Sequence, residues 1–277
     1  MTLRVPTVSE PAEVAWDSGR EDTVVLLAVK GQHTDHALEQ LLAVAPPTTR
    51  VVCLQNGVEN ERRALRAFPA TYAVCVLCPA TQLRPGVVQM HSAPVSGLLD
   101  IGSFPSGVDE TARAVAEAIS TTSFRSEARP DVMRWKYRKL LSNLANAVEA
   151  LCGPGARFGP LARAAEQEGA AVLAAAGIEV TDDDEYWKHH ATLKMAPTPS
   201  GPWQGGSSWQ SLARGTGSIE AEFLNGEIVL QGALLGVATP INALLQRLAV
   251  RAALEGTGPG QWDIGALSRL AGVDHGE

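Results

Sequence analysis

Long hydrophobic runs, charged residues and cysteines are all scarce in this 277-residue chain. The longest apolar run, residues 24–29, is far too short to cross a bilayer, and the N-terminus lacks the apolar core of a signal peptide. The cytoplasm is therefore the expected compartment, without a membrane partner. A charged fraction of 19% beside 45% hydrophobic residues excludes a disordered chain. The net charge of −7, without a Lys/Arg cluster, argues against a nucleic-acid partner.

The four cysteines do not form a convincing metal or redox motif. Cys75 and Cys78 have the spacing of a redox or zinc pair, but they lie in an apolar stretch typical of a buried strand. No second cysteine pair or nearby histidine doublet completes a zinc site, so we interpret them as buried thiols and expect no metal. His189 and His190, with the acidic residues 182–184, are interpreted as a solvated loop. The sequence has no Gly-x-Ser-x-Gly elbow to support serine hydrolase chemistry.

Strand and helix patterns alternate in the first half of the chain. The predicted strands cover 23–29, 50–55, 72–78 and the surroundings of Phe124; the predicted helices cover 33–44, 58–68 and 108–119; a hairpin-like stretch covers 87–90 and 98–101. This alternation predicts a parallel sheet covered by helices, with ligand loops at the carboxyl ends of the strands. Only helices are predicted after Pro130. We therefore expect an α/β domain over residues 1–129 and an all-helical domain over residues 130–277.

Residues 135–151 are predicted to form one helix with a short polar stripe. At about 100° per residue, Lys139, Asn143 and Asn146 fall within roughly 60° of one another, opposite several apolar side chains. One interpretation is a solvated face. The other is a lysine and two amides that bind and protonate a ligand oxygen. Lys136, one turn before Lys139, is expected to be a surface lysine.

Two further polar residues follow predicted strand ends. Lys30 comes after the first strand, and Asn56 comes after the second, in an Asn-Gly dipeptide. An exposed lysine and a simple turn residue are the plain interpretations. However, both residues lie at carboxyl ends of parallel strands, where such sheets bind their ligands.

Four separated motifs resemble the ketopantoate reductase family in order and spacing. They are Val29-Lys30; Leu54-Gln-Asn56-Gly57-Val-Glu-Asn60; Trp135-x-x-x-Lys139-Leu-Leu-x-Asn143-x-x-Asn146; and a later stretch with Ser207-Ser208-Trp-Gln210, Glu220-x-Glu222-x-x-Asn225-Gly226 and Thr239-Pro240-Ile-Asn242. The resemblance runs from about residue 20 to residue 250. It implies a Rossmann-type domain followed by a helical domain, and reduction of a 2-oxo acid with NADPH.

The resemblance also implies roles for individual residues. Lys139 would be the general acid that donates a hydrogen bond and then a proton to the keto oxygen. Asn143 and Asn146 would hold the hydroxyl and carboxylate end of the substrate, and Ser208 its carboxylate. Glu220 would lie near both Lys139 and the cofactor ribose.

NADPH contacts are implied for three residues of the first domain. Lys30 and Asn56 would touch the cofactor, with Asn56 next to the nicotinamide. Gln82, four residues before Gly86, matches a backbone contact of the family only weakly. The expected partners are a small 2-oxo acid and, through the helical domain, a second copy of the chain.

Three departures from the family pattern concern the substrate. Asn146 follows Lys139 by seven residues, where the family commonly has eight. A later asparagine is missing near Ala156, and Ser211 stands where an aspartate often follows the Ser-Ser-x-x-Gln motif. The expected substrate is therefore a 2-oxo acid, without an assignment to ketopantoate itself.

A strand leading into Gly-x-Gly-x-x-Gly, which binds the pyrophosphate in a Rossmann domain, does not precede Thr23. The similar run at residues 153–159 follows a helix and is interpreted as a helix terminator. We expect either that roughly 60 residues, about two βα units, are missing or that dinucleotide binds weakly. Three functions stay open: a ketopantoate-reductase-like oxidoreductase, a non-catalytic remnant or binding protein, and a dehydrogenase for another hydroxy acid.

Overall fold

The computed structural model describes residues 5–16, 23–196, 198 and 203–274. The strands are β1 (Val24–Leu27), β2 (Arg50–Cys53), β3 (Thr71–Leu77), β4 (Ala80–Arg84), β5 (Val87–Met90), β6 (Gly97–Ser103) and β7 (Phe124–Arg125). Five of them form one sheet in the order β1-β2-β3-β6-β7, and β4 pairs with β5 separately. The predicted fold class, a Rossmann-type sheet followed by helices, is confirmed.

The main sheet is mostly, but not wholly, parallel. β1, β2 and β3 are parallel neighbours, as are β6 and β7, but β6 runs antiparallel to β3, with Cys75 opposite Asp100. Parallel neighbours need a long crossover, usually a helix, whereas antiparallel ones do not. The chain between β3 and β6 instead contains the small sheet of β4 and β5, so it returns in the opposite direction.

The hairpin predicted over residues 87–101 is wrong in its pairing. The residues of β5 pair with β4 around Pro85 and Gly86, and β6 joins the main sheet. Gly86 has φ +75°, a left-handed conformation that a turn can require and that glycine adopts without strain. The sequence pattern predicted the turn at Pro85 and Gly86, but it did not predict β4, the short polar strand before that turn.

The helices of the first region are α1 (Thr34–Leu42), α2 (Asn60–Ala67) and α3 (Glu110–Ser120). Those that follow are α4 (Val132–Asn143), α5 (Ala145–Cys152), α6 (Pro160–Ala175), α7 (Asp183–His190), α8 (Ser207–Arg214), α9 (Asn225–Leu235), α10 (Pro240–Leu254) and α11 (Ile264–Leu270). The loop predicted around residues 182–190 is wrong, because Asp182 caps α7 by accepting the Asp184 backbone N–H. Within the described residues, no helix combines the length and apolar character of a membrane span.

The helix predicted over residues 135–151 is in fact two helices that meet at Leu144. The Asn225 side-chain amide donates to the Leu144 carbonyl at 3.1 Å, and it also donates to Asn242 at 2.9 Å. Leu144 itself keeps right-handed helical dihedrals (φ −60°, ψ −29°), so α5 follows α4 directly. Lys139 and Asn143 therefore share α4, whereas Asn146 belongs to α5.

α4 packs against both the sheet and the helical part of the protein. Trp135 is buried beside β3 and β6, and Leu140 and Leu144 are buried in the helical core. Burying such side chains stabilises the fold by roughly 1.5–3 kcal/mol each. This packing brings the polar side chains of α4 to the carboxyl ends of β2 and β3. The domain boundary near Arg129 lies between β7 and α4 and stays a prediction.

Candidate active site

Lys139 and Asn56 are in direct contact where α4 crosses the end of β2. The Lys139 ammonium donates to the Asn56 side-chain oxygen at 2.8 Å. Gly57 has φ +78°, a left-handed conformation that glycine adopts without strain, and the chain bends here and presents the Asn56 amide to the lysine. The turn interpretation and the site interpretation of Asn56 are therefore compatible.

The protonation of Lys139 is set by its surroundings. Burial, together with the charge of Lys136, lowers the pKa of Lys139 to about 8, against the opposing effects of Cys75, Cys78 and Glu220. A side chain with a pKa near the working pH is suited to exchange a proton with a reacting group. The arrangement can thus supply a positively charged donor near neutral pH.

A hydrogen-bond network locks together the loops that follow β1 and β2. The Gln55 side-chain amide donates to the Val29 carbonyl at 2.6 Å and to the Thr34 hydroxyl at 2.9 Å. Thr34 donates to the Asn60 side-chain oxygen at 2.8 Å, and Asn60 donates to the Asn56 carbonyl at 2.9 Å. The position of Asn56 therefore depends on side chains from both loops.

Lys30 and Glu220 lie where the end of β1 meets the helical part. The Lys30 ammonium donates to the Ser211 hydroxyl of α8, and the Gly31 backbone N–H donates to Glu220 at 3.2 Å. Burial lowers the pKa of Lys30, while the charge of Glu220 opposes that shift. Ser211 stands where the resembling family often has an aspartate. Lys30 is therefore bound here by a neutral hydroxyl and not by a carboxylate.

The three residues expected to bind substrate fall into two places. Asn143 lines the same small cavity as Lys139 and Asn56. Asn146 lies on α5, where its side-chain oxygen accepts from the Arg157 guanidinium at 2.7 Å. Ser208 is buried in the first turn of α8, which packs against α5.

Arg157 and Glu149 belong to this region but were not expected from the sequence. Glu149 is buried; it accepts the Gly206 backbone N–H at 3.0 Å and pairs with Arg157 at 3.2 Å. Arg157 lies in the segment interpreted only as a helix terminator, next to Ala156, where the family asparagine is missing. The absence of that asparagine was the one feature of the sequence that indicated a different polar side chain in this region.

Gln82 is tied to α8 rather than to the loops around Lys139. Its backbone N–H donates to the Gln210 side chain at 3.0 Å, and its carbonyl accepts from Arg214 at 2.5 Å. Both of its backbone groups are therefore engaged within the protein, and the structure adds no support for a cofactor contact there.

Lys136 is not the surface lysine predicted from the helix pattern. It is only 3% exposed, and its ammonium lies 2.6 Å from a Glu61 carboxylate oxygen. The same ammonium donates to the backbone carbonyls of Gln55 at 2.8 Å and Val74 at 3.1 Å. The prediction failed because α4 is covered by the sheet on a side that helical periodicity alone left open to solvent.

The cysteines contribute no disulfide to this site. Cys75 is buried, Cys78 is half-buried, and both are free thiols. Burial raises the pKa of both thiols, which disfavours their reactive thiolate form. Over the described residues, no group of three or more His, Cys, Asp or Glu side chains is placed to hold a metal ion.

Comparisons with known proteins agree with this architecture. The family models described as "Ketopantoate reductase PanE/ApbA" and "Ketopantoate reductase PanE/ApbA C terminal" match residues 2–106 and 131–252. A 2-dehydropantoate 2-reductase from Caulobacter vibrioides is 29% identical, over 91% of this chain and 83% of that protein. One from Pyrococcus horikoshii is 24% identical, over 83% of this chain and 75% of that protein.

Solved structures show the same fold. The PanE/ApbA family ketopantoate reductase from Ralstonia eutropha aligns with TM-score 0.67 at 26% identity, covering 84% of this chain and 76% of that chain. A D-mandelate dehydrogenase with NADH and anilino(oxo)acetate aligns with TM-score 0.68 at 21% identity, covering 84% and 77%. The fold and these relatives define an oxidoreductase with a Rossmann-type sheet and a helical domain. Within that class, the chain belongs to the ketopantoate reductase family.

Proposed function

We propose that the protein reduces the keto group of a 2-oxo acid with NADPH, and that Lys139 is the general acid. The observation that carries this proposal is the contact between Lys139 and Asn56, which joins α4 to the end of β2. It places a lysine of lowered pKa beside the loops where parallel sheets bind their ligands. Lys30 at the end of β1 also has a lowered pKa, but its ammonium is bound to Ser211 of α8, whereas Lys139 lines the cavity that it shares with Asn143.

In the proposed reaction, the Lys139 ammonium donates to the keto oxygen and then transfers its proton. A positively charged donor is most favourable when negative charge develops on that oxygen, so it stabilises the transition state more than the ground state. NADPH, when bound, supplies the hydride that reduces the keto carbon. Asn56 holds Lys139 at the position from which it reaches the substrate.

The residues at the ends of β1 and β2 fit the nicotinamide side of the cofactor. The Asn56 amide nitrogen forms no hydrogen bond among the described residues, so it can donate to a carboxamide or ribose oxygen. Lys30 and Glu220 supply a cation and an acceptor beside it. No residue is assigned to the pyrophosphate. Because the D-mandelate dehydrogenase noted above was solved with NADH, NADPH and NADH should be compared directly.

The substrate side is proposed to lie between α4, α5 and α8. Asn143 shares the cavity of Lys139, while Asn146 and Ser208 offer an amide and a hydroxyl at the junction of α5 and α8. Arg157, bonded to Asn146, adds a guanidinium that can bind a carboxylate. Because the spacing of Asn146 and the residues at Ala156 and Ser211 depart from the family pattern, the proposal names a 2-oxo acid and not ketopantoate in particular.

A substrate panel tests this proposal. The purified protein is assayed for loss of NADPH and NADH absorbance with ketopantoate, aromatic, aliphatic and dicarboxylic 2-oxo acids. We expect turnover of at least one acid, with NADPH preferred. Absence of turnover with every acid and both cofactors, together with no cofactor binding by calorimetry, would contradict the proposal and favour a binding protein.

We also propose a homodimer formed through the helical part. Leu230 and Leu234, one turn apart on α9, are 50% and 72% exposed, and Leu254 at the end of α10 is 74% exposed. Exposed apolar side chains at this spacing are typical of a contact surface. A ketopantoate reductase from Staphylococcus aureus is described as dimeric. Sedimentation analysis should give a dimer, and Leu234→Glu should give a monomer.

A further inference from the structure

Lys136 and Glu61 form an ion pair with almost no access to water. Their side chains are 2% and 0% exposed, and the two charged groups are 2.6 Å apart. Glu61 belongs to α2 and Lys136 to α4, so the pair joins a helix of the sheet region to the helix that carries Lys139. Burial raises the pKa of Glu61, and the adjacent Lys136 opposes that rise.

The pair is connected to the candidate active site through backbone carbonyls. The Lys136 ammonium binds the carbonyl of Gln55, the residue that directly precedes Asn56, and the carbonyl of Val74 on β3. The Gln55 side chain in turn binds the carbonyl of Val29, the residue that precedes Lys30. One buried ammonium therefore holds the segment that follows β2, the middle of β3 and, through Gln55, the loop after β1.

Stability alone does not explain such a pair. Removing two charges from water costs about as much as their attraction returns, so apolar replacements of similar volume are often neutral or stabilising. What an apolar pair does not reproduce is the directional hold on two carbonyl oxygens. That hold determines where the turn with Asn56 lies relative to Lys139.

We propose that Lys136 and Glu61 are positioning residues, which hold the Gln55–Asn56 loop against α4 so that Asn56 and Lys139 face the reacting atoms together. The inference rests on the proposed function, in which Lys139 acts as the general acid. Neither residue of the pair touches substrate or cofactor in this scheme.

The pair also shapes the charge around Lys139. The groups that face it are Lys136 on α4, Cys75 on β3, Cys78 after it, Glu220 of the 3-10 turn Glu220–Glu222, and His190 of α7, whose own pKa is lowered by burial and by Lys139. Among these groups, Lys136 is the cation that lowers the pKa of Lys139. Removing Lys136 should therefore raise that pKa.

The test compares Lys136→Met, Glu61→Leu and the double variant Lys136→Met/Glu61→Leu. Each single variant leaves one buried charge without its partner, so its Tm should fall by about 10 °C. The double variant has an apolar pair and should regain most of that loss. Its kcat should nevertheless stay at least about tenfold below the parent value, because misplacing catalytic groups by an ångström can cost a hundredfold.

Two NMR signals extend the test to a protein without measurable turnover. With ¹⁵N-labelled lysine and asparagine, the Lys139 Nζ and Asn56 amide signals are assigned by their loss in Lys139→Met and Asn56→Ser. In the double variant, the Lys139 titration midpoint should rise and the Asn56 signal should shift. A purely structural pair predicts that kcat and the Asn56 signal return to parent values with Tm, and that result would overturn the inference; the midpoint rises under either role, because the Lys136 charge is removed. Absence of turnover in the parent contradicts only the proposed function, since the Asn56 signal still decides the role of the pair.

Discussion

Two lysines three residues apart on α4 have contrasting surroundings. An ammonium group has three donors; that of Lys136 donates to the carbonyls of Gln55 and Val74 and is ion-paired with Glu61. Lys139 has one hydrogen-bond partner among the described residues, the Asn56 side chain. Lys136 is buried, whereas Lys139 is partly exposed and lines a cavity.

These contacts fit two different proposed roles: Lys136 fixes neighbouring elements of the fold, and Lys139 keeps donors available for a ligand. A saturated ammonium cannot bind a ligand without breaking contacts of the fold. An ammonium with two remaining donors can bind one, and its lowered pKa favours proton transfer. The same residue type on the same helix can thus have two roles, decided by the number of its partners.

The largest expected effect is on the chemical step. If Lys139 is the general acid, Lys139→Met should lower kcat by about 10²–10⁴, the range for a positioned acid or base. The affinity for NADPH should change little, because the ammonium faces the substrate. Steady-state kinetics and nucleotide titration measure both quantities. A variant with the parent rate would remove Lys139 from the mechanism.

For stability, the substitution of Lys136 should have a larger effect than the substitution of Lys139. Lys136→Met should lower the free energy of unfolding by about 3–5 kcal/mol, because the Glu61 charge is left buried without a partner. Lys139→Met should not lower it at neutral pH, since burial of Lys139 already disfavours its charged form. Urea unfolding monitored by circular dichroism gives both values. An equal loss of unfolding free energy in the two variants would contradict the distinction between the two lysines.

The pH profile should report Lys139 alone. Reduction requires the protonated ammonium, and burial lowers the pKa of Lys139 to about 8. We therefore expect kcat/KM for reduction, which reports the free enzyme, to be constant below that pH and to fall about tenfold per unit above it. The oxidation of the hydroxy acid requires the neutral amine and should rise over the same range. A residual rate in Lys139→Met that kept this profile would assign the titration to another group.

Ser208→Ala should have a smaller effect, confined to binding. A lost hydrogen bond to a carboxylate is worth about 1.5–3 kcal/mol, so KM should rise by roughly tenfold or more with kcat nearly unchanged. Kinetics on the best acid of the panel measures this. A large fall in kcat at constant KM would instead place Ser208 in the chemical step.

Lys188 on α7 provides the matched control, because it is an exposed lysine. Lys188→Met should change neither kcat nor KM, and the free energy of unfolding should stay within about 0.5 kcal/mol of the parent. A clear loss of activity in this variant would mean that general charge effects, rather than the contacts of α4, explain the other results.

Local pattern predicted much of the fold. The strands that became β1, β2 and β3 and the helices α1, α2 and α3 follow from periodicities within short windows, and their bounds were nearly right. The division at Leu144 did not follow, because no local pattern marks it and the Asn225 amide bound to its carbonyl comes from α9. The β4 strand was missed because its alternation is weak and its partner lies across a turn.

The candidate site was also predicted only in part from the sequence. The motifs named Lys30, Asn56, Lys139 and Glu220, and the structure places these residues near one another. Arg157 and Glu149 were missed, since neither stands out in a window of sequence. For Gln82, the resemblance offered a backbone contact, while the actual partners come from α8.

The sequence by itself determined which residue types were present and which shared a helix face, because helical geometry depends only on neighbouring positions. It therefore put Lys139 and Asn143 on one side of α4. Only the tertiary structure decided that Lys136 is buried against Glu61 while Lys139 meets Asn56, because burial and partners depend on elements far away in the chain. The role that we propose for each lysine follows from those partners.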